Sequence, residues 1–176
     1  MYPLFRLLTC TLGAMRANPL HADATGSMSF RCRPWDLDLF MEMNNGRILT
    51  LYDLGRFDFS IRTGLMKALK KNRWGLVVAG STVRYRRRIR LWDKVTIKTR
   101  VVGMDERWLY VKQSMWVKGE ACSSVLLRTG ITERGRVIEP RRVIDAVGLE
   151  DWQPTPSDWP KAWIDSEALR PWPPQV

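Results

Sequence analysis

Histidine is almost missing from this chain of 176 residues, which has only His21. That residue lies near the N-terminus and outside any motif. Ser/His/Asp or Cys/His catalysis and His-rich metal sites would all have to be built on it, without catalytic neighbours in the sequence. If the chain is an enzyme, carboxylates do the work. Cysteine is scarce too. Cys10, Cys32 and Cys122 are odd in number, far apart and without a CxxC pair, which argues against a disulfide framework or a zinc knuckle and fits a reducing cytoplasm. No metal or cofactor is expected. No apolar run reaches the length of a transmembrane helix, because Arg6 and Arg16 interrupt the first apolar stretch. Acidic residues are in deficit: 29 Lys and Arg face 18 Asp and Glu, for a net charge of +11. Such a balance attracts something anionic, whether nucleic acid, a membrane surface or a phosphorylated substrate.

What is present is ordinary for a globular protein, with 45% hydrophobic and 27% charged residues. The length suits one domain with a real core. Three segments are expected: an N-terminal amphipathic helix and linker over 1–27, a main domain over 28–149, and a C-terminal arm over 150–176. In the first, Leu4, Leu8, Leu12 and Met15 line one side of a helix. That helix either packs on its own domain or lies on a membrane surface. A basic residue ahead of a short apolar run is also the order of a signal peptide. The Asn-Pro and Gly-Ser content of 17–27 marks a linker.

Met28 to Arg33 alternates as a first strand. From Gly46 to Thr63 the pattern becomes helical and apolar around most of the circumference, so this helix must be surrounded by protein. Gly64 closes it, and Leu65 to Lys71 adds a short basic helical turn. Strand-like runs follow at Leu76–Leu91, Lys94–Gly103, Arg107–Lys118 and Ala121–Thr132, close enough together to pair as an antiparallel meander. A short helix is expected near Glu139–Leu149. Beyond it Trp152, Trp159, Trp163 and Trp172 stand among prolines, which reads as an extended arm packed on the domain or on a second subunit. One strand, one long buried helix and then an antiparallel sheet wrapped around it make an α+β fold.

The stretch WDLDLFMEMNNGRILTLYDLGR, Trp35 to Arg56, places carboxylates and amides just before the buried helix. There, backbone N–H groups lack intrahelical partners and the helix dipole is positive. The spacing Asp36-x-Asp38-x-x-x-x-x-Asn44-Asn45 resembles the D-x-D-x-x-G-H-V-N-N signature of hotdog-fold acyl-CoA thioesterases of the 4-hydroxybenzoyl-CoA thioesterase-like type. The branch around thioesterase superfamily member 6 reads similarly across DLDL, MNN, the helix to Arg56 and RYRRRIRLWDKVTIKTRVVG. The resemblance covers about residues 28–140 and implies a hotdog fold, an antiparallel sheet wrapped around a long central helix. It further implies thioester hydrolysis and a pocket formed between two subunits of a homodimer or a dimer of dimers.

Carried over by position, Asp38 stands where that family has its catalytic aspartate. Asn45 stands where a backbone N–H at the helix start polarises the thioester carbonyl. Asp53 falls at an acidic helix position that several relatives carry. The family's Gly-His is Met41-Glu42 here, which puts a carboxylate in place of an imidazole. The chemistry is coherent, since hydrolysis needs a group to attack or to activate water, and fixed donors for the oxyanion.

Each of these residues also has a plainer use. Asp38 can cap the loop, and the side chains of Asn44, a candidate substrate contact, and of Asn45 are natural helix caps. Glu42 can orient Asp38, hold water or face solvent, and Asp53 can pair with Arg56 three residues on. Arg84, Arg86, Arg88 and Arg90 alternate along a predicted strand, which would put four guanidinium groups on one face. That face is either solvated or receives the phosphates of coenzyme A. Few aromatic residues are interleaved with these arginines, which argues against nucleic acid. The expected function is therefore an acyl-CoA thioesterase. The alternatives are a catalytically silent hotdog protein that binds acyl groups or scaffolds a complex, and a basic peripheral membrane protein. The expected location is cytoplasmic, with weak contact to an anionic membrane surface as the peripheral option.

Overall fold

The computed structural model describes residues 3–171, 173 and 174, so Trp172 of the predicted arm lies outside the described residues. The elements are α1 (Leu4–Arg16), β1 (Gly26–Arg31), a 3-10 turn (Pro34–Asp36), α2 (Asn45–Arg62), α3 (Leu65–Asn72), β2 (Gly75–Tyr85), β3 (Lys94–Met104), β4 (Leu109–Val117), β5 (Glu120–Glu133), β6 (Arg136–Ile138), α4 (Pro140–Ala146) and α5 (Asp158–Ala168). All strand pairings are antiparallel, in the order β1-β3-β4-β5-β2, with β6 added to the end of β5. This is the expected α+β hotdog arrangement, and α2 packs against one face of the sheet.

The alternation of each strand decides which residues meet α2. Val95, Ile97, Met115, Val125 and Leu127 form one core with Ile48, Leu51, Tyr52 and Leu54 of the helix. A polar seam fixes the helix within this apolar contact. Gln113 Nε2 donates to Tyr52 O and to Thr99 Oγ1, both at 2.9 Å, while the Tyr52 hydroxyl meets Ser123 Oγ at 2.9 Å. Each buried group is thereby satisfied, which avoids a desolvation cost of about 1–3 kcal/mol apiece. Gly55 lets the helix come this close, because a Cβ there would sit 2.7 Å from Ile97 Cγ2 and 2.9 Å from Gln113 Nε2. Gly55→Ala is therefore expected to lower stability by about 1–3 kcal/mol despite alanine's better helix propensity, read as a drop in the urea midpoint.

Three expectations need correction. First, the strand predicted over Leu76–Leu91 ends at Tyr85. Arg86 N and Arg87 N both donate to Cys122 O, at 2.8 and 3.1 Å, and the chain then turns so that Ile89 enters the core. The four arginines therefore do not share one strand face.

Second, the C-terminal arm is extended only over its first part and then forms α5. Asp158, Trp159 and Pro160 occupy the first turn, where a proline costs no hydrogen bond. The arm is tied to the sheet by Met104 N donating to Pro154 O at 3.0 Å, and Pro156 lies where a Cβ on Gly103 would be, 2.5 Å from its Cγ.

Third, the apolar side of the N-terminal helix read from the sequence is not the side that packs on the domain. α1 packs on α2 and the core through Leu7, Cys10 and Ala14. The other side, Leu4, Phe5, Leu8, Leu12 and Met15, is exposed. The stripe read from the sequence is thus the outward one.

Candidate active site at the start of the central helix

The loop from Arg33 to Asn44 is organised by Asp36, whose side chain is fully buried. Its Oδ2 accepts from Arg33 N at 2.8 Å and from Arg6 Nη2 at 2.7 Å. Its Oδ1 accepts from Arg6 Nη1 at 2.9 Å and lies 3.4 Å from Arg47 Nε, and its carbonyl accepts from Asn44 N at 2.9 Å. One carboxylate therefore joins α1, the loop and the first turn of α2. In the sequence Asp36 figures only as part of a motif. The clue to its role is Arg6, which there reads as a charge interrupting an apolar stretch.

Asp38 lies at the root of a tight turn. Its N–H donates to Glu42 O at 2.9 Å, its carbonyl accepts from Met41 N at 3.1 Å, and Leu37 and Met43 bridge the two sides. Met41 has φ 59°, a left-handed conformation that favours glycine, at the position where the resembling signature has one. The tip, Leu39-Phe40-Met41, points into solvent, with Leu39 98% exposed. The Asp38 carboxylate is half-buried: Oδ1 accepts from Phe40 N at 2.8 Å, and Oδ2 has no partner among the described residues. The turn-capping use of Asp38 is thus real, and it engages one oxygen.

Asn44 caps α2, its Oδ1 accepting from Gly46 N at 2.9 Å and Arg47 N at 3.2 Å. In the first turn, the Asn45 N–H has no acceptor among the described residues. An unpaired donor at the positive end of an 18-residue helix is suited to hold an oxyanion.

The remaining predicted residues divide into separate groups. Glu42 pairs with Arg88 at 2.8 Å, and its backbone bridges to Arg90, so Arg88 and Arg90 flank the Asp38 loop. Arg86 is exposed, and Arg84 lies within β2 opposite Ser124. Asp53 pairs with Arg56 at 2.7 Å, and Arg56 reaches on to Gln113 Oε1 at 2.7 Å. Asp53 is eight residues past Asn45, hence about 12 Å along the axis at 1.5 Å per residue. Within one chain it is not beside Asp38. It borders instead a cleft of about 610 Å³ between α2, α3 and β2, walled by Phe57, Met66, Trp74, Leu76 and Val78.

No group of three or more His, Cys, Asp or Glu is gathered for a metal among the described residues. Burial pushes the Cys10 and Cys32 thiols up to about 11 and raises Cys122 as well. None offers a thiolate near neutral pH. Alkylation of the folded chain at pH 7.5 is expected to be much slower than in urea and to speed up as pH rises toward 11.

A family model described as the thioesterase-like superfamily matches residues 32–162. The chain belongs to this superfamily. Among curated relatives, Protein THEM6 of Xenopus laevis is 40% identical over 95 residues, covering 53% of this chain and 46% of that protein. Protein THEM6 of Drosophila melanogaster is 37% identical over 83 residues, covering 47% of this chain and 43% of that protein. The match thus spans about half the length of these relatives. Among solved structures, a thioesterase of Thermus thermophilus complexed with coenzyme A and Zn is 26% identical, with a TM-score of 0.61 over 72% of this chain and 94% of that one. The probable thioesterase YbaW of Escherichia coli shares 17% identity and a TM-score of 0.64 over 69% of this chain and 97% of that one, which supports the hotdog fold alone. This thioesterase-like chain therefore has the fold its sequence motif implied.

Proposed function

We propose that the chain hydrolyses an acyl-CoA thioester to a free acid and coenzyme A. The observation that carries this reading is the pairing, at one loop-to-helix junction, of a carboxylate with one uncommitted oxygen and a helix-start N–H with no acceptor among the described residues. Asn45 N–H stabilises the oxyanion as the carbonyl is attacked. Asp38 takes the proton of the attacking water, or attacks directly and forms an anhydride that water then opens. In both routes the C–S bond breaks, and the coenzyme A sulfur leaves and is protonated. The apolar cleft beside Asp53 is suited to an acyl group. A silent hotdog protein is the second reading, favoured by the engagement of Asp38 Oδ1 in its own turn. Free thiol released from a panel of short, long and aromatic acyl-CoA substrates separates the two.

Arg88 and Arg90 line a cleft of about 460 Å³ with Lys118 near the Asp38 loop, a setting for coenzyme A phosphates. Replacing both with Gln is expected to raise KM and weaken its salt dependence while leaving kcat nearly unchanged. An unchanged KM contradicts this placement.

A homodimer is supported by β2, which pairs only with β5 among the described residues and leaves its other edge free beside exposed Leu76, Val77, Val78 and Tyr85. Long apolar edges are rarely left open, and pairing with a second copy would close this one. Light scattering at twice the chain mass is the expected result.

We further place the chain in the cytoplasm, a reading supported by its three unpaired cysteines. The outward stripe of α1 supports a weak peripheral hold on anionic membranes, since Phe5 is 79% and Leu8 57% exposed and no acidic residue precedes Asp23. No helix among the described residues is long and apolar enough to cross a membrane. Leu8→Ser with Leu12→Ser is expected to reduce sedimentation with anionic vesicles at unchanged melting temperature. Failure of the intact chain to sediment would remove the membrane reading.

A further inference from the structure

The face of the sheet turned away from α2 carries α5, and the helix and the sheet leave a groove of about 590 Å³ between them. Its lining combines Arg84 of β2, Lys112 of β4, the hydroxyl residues Thr82 and Ser124, and the indoles of Trp159 and Trp163. The arm that builds this wall is docked at Gly103 and Met104, as described above. Trp163 is held edge-on to Tyr110, with ring centroids 6.5 Å apart, and lies under the Arg128 guanidinium at 5.4 Å. Lys112 Nζ is 5.7 Å from the Trp159 ring, and Trp159 is still 47% exposed.

Charge in the groove is uncompensated. No carboxylate lines it among the described residues. Arg84 has no ion pair or hydrogen bond through its side chain among the described residues, and the Nε of Arg128, whose guanidinium lies over Trp163, is buried without an acceptor. Glu167 on α5, whose carboxylate lies near Gly80 as Trp163 does, is paired with Arg170 at 3.4 Å. Two cations on low-dielectric aromatic walls concentrate a positive field. A bare anion would leave the indoles unused, and an acyl chain would leave the cations unpaired.

We propose that this groove is a nucleotide site, in which Arg84 and Lys112 take phosphate oxygens and the base stacks on Trp159. Guanidinium suits phosphate in a bidentate contact, ammonium adds a point charge, and a flat base gains from an indole face. The volume is that of a small-molecule pocket, enough for one nucleotide and too small for a strand. The groove opens on the face opposite the one that carries α2. The same chemistry could come from a free nucleotide or from the nucleotide end of coenzyme A, and in the second case Arg84 and Lys112, not Arg88 and Arg90, hold its phosphates.

The test is calorimetric titration of the full chain with ADP, adenosine, inorganic phosphate and coenzyme A. It needs no turnover, so a chain that fails to hydrolyse thioesters still answers it. ADP is expected to bind at least about tenfold more tightly than adenosine or phosphate, and Trp159→Ala and Lys112→Gln are each expected to weaken ADP about tenfold. Both residues are exposed on the surface, and an unchanged melting temperature confirms that the variants fold. If saturating coenzyme A displaces ADP from the wild type, the occupant is the nucleotide end of coenzyme A; if ADP binds undisturbed, it is a free nucleotide. Absence of ADP binding, ADP binding insensitive to both substitutions, or phosphate binding as tightly as ADP would each overturn the proposal.

Discussion

Asp38→Asn is expected to give a folded protein whose turnover on acyl-CoA is lower by about two decades or more. The amide keeps the shape of the carboxylate and an oxygen for the Phe40 N–H, so the turn survives. Asp38 has no ion pair among the described residues, so no charged partner is stranded and the loss of stability is expected to stay within about 0.5 kcal/mol. What disappears is the basicity or nucleophilicity of Oδ2. Glu42→Gln instead breaks a partly exposed pair with Arg88, and its effect on rate is expected to be smaller. Asp53→Asn separates the remaining option. If Asp38→Asn retains turnover and Asp53→Asn loses it, the chemistry lies at the middle of α2, beside the apolar cleft.

The second large effect is on stability. Arg6→Ala is expected to cost about 3–5 kcal/mol, because it removes both guanidinium bonds to a fully buried carboxylate. Arg47 Nε at 3.4 Å and Arg33 N remain, which is too little to replace a bidentate partner. Against a total stability of about 5–15 kcal/mol for a domain, such a loss is visible as a large drop in the urea midpoint. Combining Arg6→Ala with Asp36→Asn is expected to cost clearly less than the sum of the two, since each removes the same interaction. A cost below about 1 kcal/mol for Arg6→Ala would show that α1 does not hold the Asp38 loop. The same contact ties the N-terminal helix to the loop while its outward stripe stays open to other surfaces.

The fold was legible because period carries it. Alternation over β1, β3, β4 and β5 and the apolar helix to Arg62 follow from which side chains must be buried. The D-x-D…N-N spacing also located the helix start, since a cap and its unpaired donors are local features. What was not legible depended on contacts distant in sequence. Arg86 to Arg90 alternate like a strand, yet Cys122 O captures two N–H groups in succession and Ile89 turns inward, so the predicted stripe divides into Arg84 on the sheet and Arg88 and Arg90 at the Asp38 loop. Asp36 figured in the sequence only as part of a motif, and its role as the buried organiser depends on the approach of Arg6 from 30 positions away. The tail read as extended from its prolines, but those at 154, 156 and 160 precede or open α5 rather than interrupt it.

Release of free coenzyme A thiol over time, measured with the full chain and an acyl-CoA panel beside the Asp38→Asn variant, tests the central claim most directly. The account predicts many turnovers per chain on at least one thioester, reduced about a hundredfold or more in a variant with an unchanged melting temperature. Saturable binding of acyl-CoA with no release beyond one equivalent per chain, or release that Asp38→Asn leaves intact, would contradict it.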